Sequence, residues 1–149
     1  MTVNSMVFEV RWADTDSNRH MRHSAYNDYA AHLRVKLLIS IKLDMASMAK
    51  QNFGPVLFRE ETIFHRETSL AETITVDVKL QKMRSDGSRW TFIHTFYKQD
   101  GKLAAQITVD GAWMDLEKRK LIALPEHYLQ SVFDIPQAED FVCEEIPDS

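Results

Sequence analysis

The sequence predicts an α+β domain in which an antiparallel sheet accompanies one long helix. Three observations predict it. A helical apolar stripe runs from Ser24 to about Asp44; strict two-residue alternation runs from Glu72 to Arg84 and again from Trp90 to Tyr97; and Asp86-Gly87 and Asp100-Gly101 supply hairpin signals between apolar runs.

In chain order, Val7-Phe8-Glu9-Val10-Arg11-Trp12 reads as a first strand. The helix that follows places Tyr26, Tyr29, Ala30, Leu33, Leu37 and Ile41 on one face, while Arg34 and Lys36 call for a solvated or subunit-facing stripe. Asn52-Phe53-Gly54-Pro55 stops the helical pattern, because Gly and Pro together end helices and start turns. Val56 to Arg66 opens the sheet. In the next run Ile74, Val76, Val78 and Leu80 share one face, and Thr73, Thr75, Asp77 and Lys79 the other. Trp90, Phe92, His94 and Phe96 then alternate with Thr91, Ile93, Thr95 and Tyr97, and Leu103 to Met114 completes three hairpin-linked strands. Leu124-Pro125-Glu126-His127 opens a short helix through Phe133; the acidic remainder, ending Cys143-Glu144-Glu145-Ile146-Pro147-Asp148-Ser149, is expected to be a loosely held tail. No repeat or linker interrupts the 149 residues, so the chain reads as a single domain.

Composition narrows the function. With 44% hydrophobic residues and a net charge of −4, the chain can build a core and offers no broad basic field to a nucleic acid, so an anionic ligand must be met locally. No apolar run is long enough to span a bilayer, and Met1-Thr2-Val3-Asn4-Ser5 lacks the charged and apolar parts of a secretory signal, which predicts a cytoplasmic protein with no membrane partner. The lone Cys143 has no intrachain disulfide partner and no companions for zinc.

Chemistry concentrates in Arg11-Trp12-Ala13-Asp14-Thr15-Asp16-Ser17-Asn18-Arg19-His20-Met21-Arg22-His23-Ser24-Ala25-Tyr26. This polar segment lies where a strand hands over to a helix N-terminus. Unpaired backbone N–H groups there can polarise a carbonyl oxygen, and a carboxylate from the same loop can act as base or nucleophile, a combination suited to acyl transfer. Asp and Ser are equally ordinary caps and turn residues. Spacing adds information: Asp16, His20 and His23 fall at offsets of zero, four and seven, and Tyr26 follows on the inward helix face. No H-E-x-x-H or cysteine-rich spacing accompanies them, so no metal site is expected.

This arrangement resembles the signature of the hotdog-fold acyl-CoA thioesterases, the 4-hydroxybenzoyl-CoA thioesterase family, in which a strand ending D-T-D leads through a short loop to His or Asn and then Tyr. The resemblance covers about Val7 to Pro125. It implies a sheet of about five strands wrapped round one long central helix, and a homodimer or homotetramer whose cleft lies between protomers. It implies Asp16 as the catalytic carboxylate, general base or nucleophile, with Asp14 as a loop-stabilising acceptor. His23 is the imidazole that would hold the thioester carbonyl, orient water or shuttle a proton, and His20 matches another branch of the family. Tyr26 walls the acyl pocket or simply packs in the core. The turn Lys82 to Arg89 resembles the family's basic-then-small turn, which assigns Arg84 and Ser88 to coenzyme A, a solvated hairpin tip being the alternative. Glu60, Glu61 and His65 face either the cleft or solvent.

The substrate so implied is a small or medium acyl-CoA, with no cofactor beyond the coenzyme A it carries; an acyl-carrier-protein thioester, or acyl-CoA binding without catalysis, are the alternatives. Two positions depart from the pattern. Arg19 stands where relatives often have Gly, and since Arg does not readily adopt positive φ, a differently shaped loop is expected. Arg22 joins it, and two guanidiniums near Asp16 would favour its ionised form. The branch that takes a catalytic Glu from the helix is disfavoured, because no Glu occurs between Ser24 and Lys50.

Overall fold

The computed structural model describes residues 2–146. Strand β1 (Ser5–Glu9) leads through a 3₁₀ turn at Trp12–Asp14 to helix α1 (His23–Ser40) and a short helix α2 (Met45–Lys50). Strands β2 (Phe53–Phe64), β3 (Thr73–Asp77), β4 (Lys79–Arg84), β5 (Arg89–Lys98), β6 (Leu103–Asp115) and β7 (Lys120–Ile122) follow, then helix α3 (Glu126–Phe133) and strand β8 (Gln137–Glu144).

Apolar alternation dictates how these elements stack. β2 pairs with β6 from Phe53↔Asp115 to Phe64↔Ala105, and β6 pairs with β5 from Leu103↔Tyr97 to Ala112↔Arg89, all antiparallel. One half of β5 then pairs with β4 and the other with β3, while β1 flanks β3. The inward residues Ile74, Val76, Val78, Leu80, Phe92, Phe96, Ile107 and Val109 form one core with Ala25, Tyr26, Tyr29, Ala30, Leu33 and Leu37 of α1. A helix buried along this face has one stripe on the sheet and one outside, the α+β arrangement expected.

Several boundaries differ from expectation, each for a local reason. The sheet has eight strands rather than about five. The run Glu72 to Arg84 breaks at Val78, whose N–H turns away to the Asn4 carbonyl at 2.8 Å, and this divides it into β3 and β4. The chain expected as a loose tail instead forms β8, which lies parallel to β4, the one parallel pairing described. The tail's end, Pro147, Asp148 and Ser149, lies outside the described residues. The first strand stops at Glu9, before the 3₁₀ turn that carries Asp14 inward. Helix α1 stops at Ser40 because Lys42 takes a left-handed φ of 66°; Asp44 then caps α2, accepting from the Ser47 N–H at 3.2 Å. No helix among the described residues is long and apolar enough to cross a membrane.

Candidate active site

Two carboxylates leave the 3₁₀ turn with opposite fates. Asp14 is 2% exposed. Arg11 donates to both of its oxygens, Nε to Oδ2 at 2.9 Å and Nη2 to Oδ1 at 3.0 Å, and the Tyr29 hydroxyl donates a further short bond. Arg11 and that hydroxyl hold the Asp14 carboxyl at about 2, against the opposing pull of burial, while Tyr29 is pushed up to about 12 by burial and by the anion beside it. The Asp14 carbonyl also accepts the Arg22 N–H at 2.7 Å, so this residue fixes the chain on which α1 begins. Its lone pairs are committed to structure.

Asp16 is exposed and differently held. Its Oδ1 accepts the backbone N–H groups of Asn18 at 2.9 Å and His20 at 3.1 Å, an Asx turn that leaves Oδ2 without a protein partner among the described residues. The loop around it is stitched to the chain before β3. Asp16 N–H reaches the His20 carbonyl at 2.8 Å, Met21 N–H the Thr68 carbonyl at 2.7 Å, and Leu70 N–H the Arg19 carbonyl at 3.1 Å. Arg19 itself adopts φ 65°, the conformation glycine would take, so the loop keeps the shape that its sequence argued against; these flanking bonds impose it.

Helix α1 starts at His23 with Arg22 as an N-cap that supplies no capping side chain. Ala25 N–H returns to the Arg22 carbonyl at 3.0 Å, whereas the N–H groups of His23 and Ser24 meet no acceptor among the described residues. The Arg22 guanidinium lies against the Ser24 hydroxyl, Asp28 at 3.4 Å and Asp14 at 3.8 Å, and not against Asp16. Neither guanidinium is ion-paired with Asp16 among the described residues: Arg22 is drawn to other acids, and Arg19 has no polar side-chain partner there.

A cleft of about 450 Å³ gathers Asp16, His20, His23 and Tyr26 with Asn18, Met21, Phe64, His65, Arg66 and Glu67. His20 Nε2 sits 3.2 Å from Glu67 Oε2, which orients that ring toward the wall. Tyr26 is 2% exposed, packs edge-on to Phe64 and Phe96 at 5.3 and 5.2 Å, and donates to Thr68 Oγ1 at 3.3 Å; burial raises its phenol above the ordinary value. His65 faces this cleft; Glu60 and Glu61 do not line it. Phe64, Arg66 and Glu67 had no local signature, since only the pairing of β2 with the sheet carries its end to the start of α1.

Arg84 and Ser88 stand elsewhere. Arg84 lines a separate groove of about 440 Å³ with Phe58, Arg59, Lys82, Arg89 and Glu144, and Ser88 closes the β4–β5 turn by donating its N–H to Asp86 at 2.9 Å. Neither lines the cleft. No group of three or more potential metal-ligating side chains occurs among the described residues.

Comparison with known proteins gives these features a context. A model of the thioesterase-like superfamily matches residues 10–132. Among solved structures, a hypothetical protein from Staphylococcus aureus in complex with CoA is 21% identical, each chain being covered over 94%, with a TM-score of 0.78. A 1,4-dihydroxy-2-naphthoyl-CoA thioesterase from Synechocystis is 16% identical over 88% of this chain and 96% of its own, with a TM-score of 0.79. The probable thioesterase YbaW from Escherichia coli is 18% identical over the same shares, with a TM-score of 0.72. No curated protein matches the sequence.

Proposed function

Because the chain belongs to the thioesterase-like superfamily, we propose that it hydrolyses a small or medium acyl thioester of coenzyme A to the free acid and the thiol. One observation carries the proposal: a single cleft holds Asp16, whose Oδ2 has no protein partner among the described residues, and the start of α1, where the His23 and Ser24 N–H groups meet no acceptor among those residues. Those donors, aided by the helix dipole, would stabilise the oxygen that becomes an anion when the thioester carbonyl is attacked. Asp16 then acts in one of two ways. As base it removes a proton from water, whose oxygen adds to the carbonyl; as nucleophile it adds directly, expels the thiolate and leaves a mixed anhydride that water hydrolyses. In either case the C–S bond breaks and the departing sulfur takes a proton, a role proposed for His23, which lines the same cleft and whose imidazole has no polar partner among the described residues. Tyr26 and Phe64 form the apolar wall for the acyl group.

Asp14 does not compete for this role, since burial and three donors already occupy it. The coenzyme A complex of the Staphylococcus aureus protein and the acyl-CoA activity named for the Synechocystis protein support the choice of thiol carrier. Among the described residues β2 pairs only with β6, which leaves its other edge unpaired there, with Ile63 and Phe64 about half exposed, so the active form is proposed to be a homodimer or homotetramer in which a neighbour covers that edge. Arg84 and Ser88 would reach substrate only from such a neighbour. The test is thiol release from a series of acyl-CoA substrates by the parent and by Asp16→Asn. Loss of more than about tenfold in rate, roughly 1.4 kcal/mol, with an unchanged fold is expected; an inert parent that still binds acyl-CoA would make the protein a carrier or sensor, and a fully active variant would remove Asp16 from the chemistry.

A further inference from the structure

A second groove, of about 450 Å³, lies on the other side of the Asp16 loop and is lined by Trp12, Ala13, Thr15, Asp16, Ser17, Arg19 and Leu70. Asp16 borders both spaces. Trp12 is 80% exposed, whereas Trp90 and Trp113 are 4% and 1% exposed, so a large aromatic surface is presented to solvent here alone among the described tryptophans. Its backbone is not free to collapse: the Trp12 carbonyl accepts from both the Thr15 N–H at 3.1 Å and the Thr15 hydroxyl at 2.7 Å, and the Arg11–Asp14 pair closes the same turn. Opposite it, Arg19 is held in the left-handed conformation by its own N–H to the Asp16 carbonyl at 3.0 Å and by its carbonyl to Leu70. Its guanidinium meets no acceptor among the described residues, in contrast to Arg11 and Arg22, which are both paired. A rigid aromatic face, an apolar floor at Leu70 and an uncommitted cation thus converge on one groove that adjoins the cleft.

We infer that this groove is a nucleotide subsite: Trp12 stacks on a purine base while Arg19 pairs with its phosphate groups. Stacking on an indole suits a planar base, and a guanidinium is the cation best shaped for phosphate oxygens. The assignment rests on the thioesterase reading, in which the ligand is the adenine nucleotide end of coenzyme A, passing over the Asp16 loop while the thioester lies in the cleft. It moves nucleotide recognition away from Arg84, whose groove is a separate space.

The experiment has two arms. In the first, adenosine 3′,5′-bisphosphate is titrated into the intact protein while acrylamide quenching of tryptophan fluorescence is followed; only Trp12 is accessible to the quencher, and the nucleotide is expected to protect it. In the second, Trp12→Leu and Arg19→Gln are assayed with acyl-CoA and with the matching acyl-pantetheine, which lacks the nucleotide. KM for acyl-CoA is expected to rise about tenfold in each variant with little change in kcat, as loss of a stack and of a remote ground-state contact requires, and KM for acyl-pantetheine is expected to match the parent. Unchanged quenching with saturating nucleotide, or an equal KM rise for both thioesters, overturns the assignment. So does a Trp12 already shielded without nucleotide whose replacement alters the oligomeric state, for the face would then be a contact between copies. Protection of Trp12 by nucleotide in a protein that releases no thiol would leave the subsite standing and remove the hydrolase reading.

Discussion

At the scale of single residues, the two acids of the Asp14-Thr15-Asp16 segment show how environment assigns roles to identical side chains. Asp14 is buried, paired and structural; Asp16 is exposed, accepts two backbone N–H groups at Oδ1 and has no partner for Oδ2 among the described residues. The Asp14 carboxyl, held at about 2, contributes stability that is fully present above the ordinary carboxylate value and is lost as pH falls from about 4 through 2. Asp14→Ala is therefore expected to lower stability by about 2 kcal/mol in urea unfolding at neutral pH, and the difference from the parent should shrink toward pH 2. An unaltered midpoint would mean that the Arg11 and Tyr29 contacts contribute nothing net. His23→Ala should slow thiol release by less than Asp16→Asn does, within the roughly 10²–10⁴-fold that positioned proton transfer supplies. Full activity in that variant would reduce His23 to a helix start.

At the scale of elements, helix α1 is tied to the sheet by a polar contact at the core, made by Arg34, whose side chain turns inward rather than joining the solvated stripe that its charge called for. His94 of β5 is fully buried, donates from Nδ1 to the Asp77 carbonyl at 3.1 Å and accepts at Nε2 from Arg34 of α1 at 2.9 Å. Burial first, and then the neighbouring guanidinium, push this imidazole down to about 3. The sign follows directly: an unfolded chain binds a proton near pH 6.5 that the folded one refuses, so stability falls as pH drops from about 6.5 toward 3. His94→Gln should flatten that part of a stability–pH curve, and a slope identical to the parent's would place its origin elsewhere. Strand β6 carries a steric counterpart. A methyl group at Gly111 would lie 2.5 Å from the Val56 carbonyl oxygen and 2.3 Å from the Trp90 ring, so Gly111→Ala is expected to cost about 1–3 kcal/mol by thermal or urea unfolding.

At the scale of the whole molecule, the sheet closes its core on α1 but, among the described residues, leaves β2 with one unpaired edge, and Leu57, Phe58, Ile63 and Phe64 of that strand stay well exposed. Exposed apolar side chains on a bare edge are a liability unless another chain covers them. Light scattering of the parent should give a multiple of the 149-residue mass, and Ile63→Lys should shift it toward the monomer. A monomeric parent at assay concentration would remove the partner from the proposed cleft.

Much of this was legible in the sequence because it is periodic. The inward faces of α1 and of the strands carrying Ile74, Val76, Val78, Leu80, Phe92, His94 and Phe96 follow from spacings of 3.6 and two residues, and those side chains are buried, whereas Ile41, expected on the same helix face, lies past the end of α1 and is only partly buried. The spacing of Asp16, His20, His23 and Tyr26 is also a local property of one strand-to-helix junction, and those four residues share one cleft. What no local pattern could decide is which distant segments meet. Phe64 to Glu67 reach the cleft through the β2–β6 register, β8 forms only because β4 offers it a free edge, and Arg84 is carried to a different groove by its position on β4. Even the backbone of Arg19 belongs to this class: its side chain disfavours a left-handed conformation, and bonds from Asp16 and Leu70 impose it. Side-chain periodicity is written along the chain, whereas register and long-range hydrogen bonds exist only between segments, and therefore only in the folded molecule.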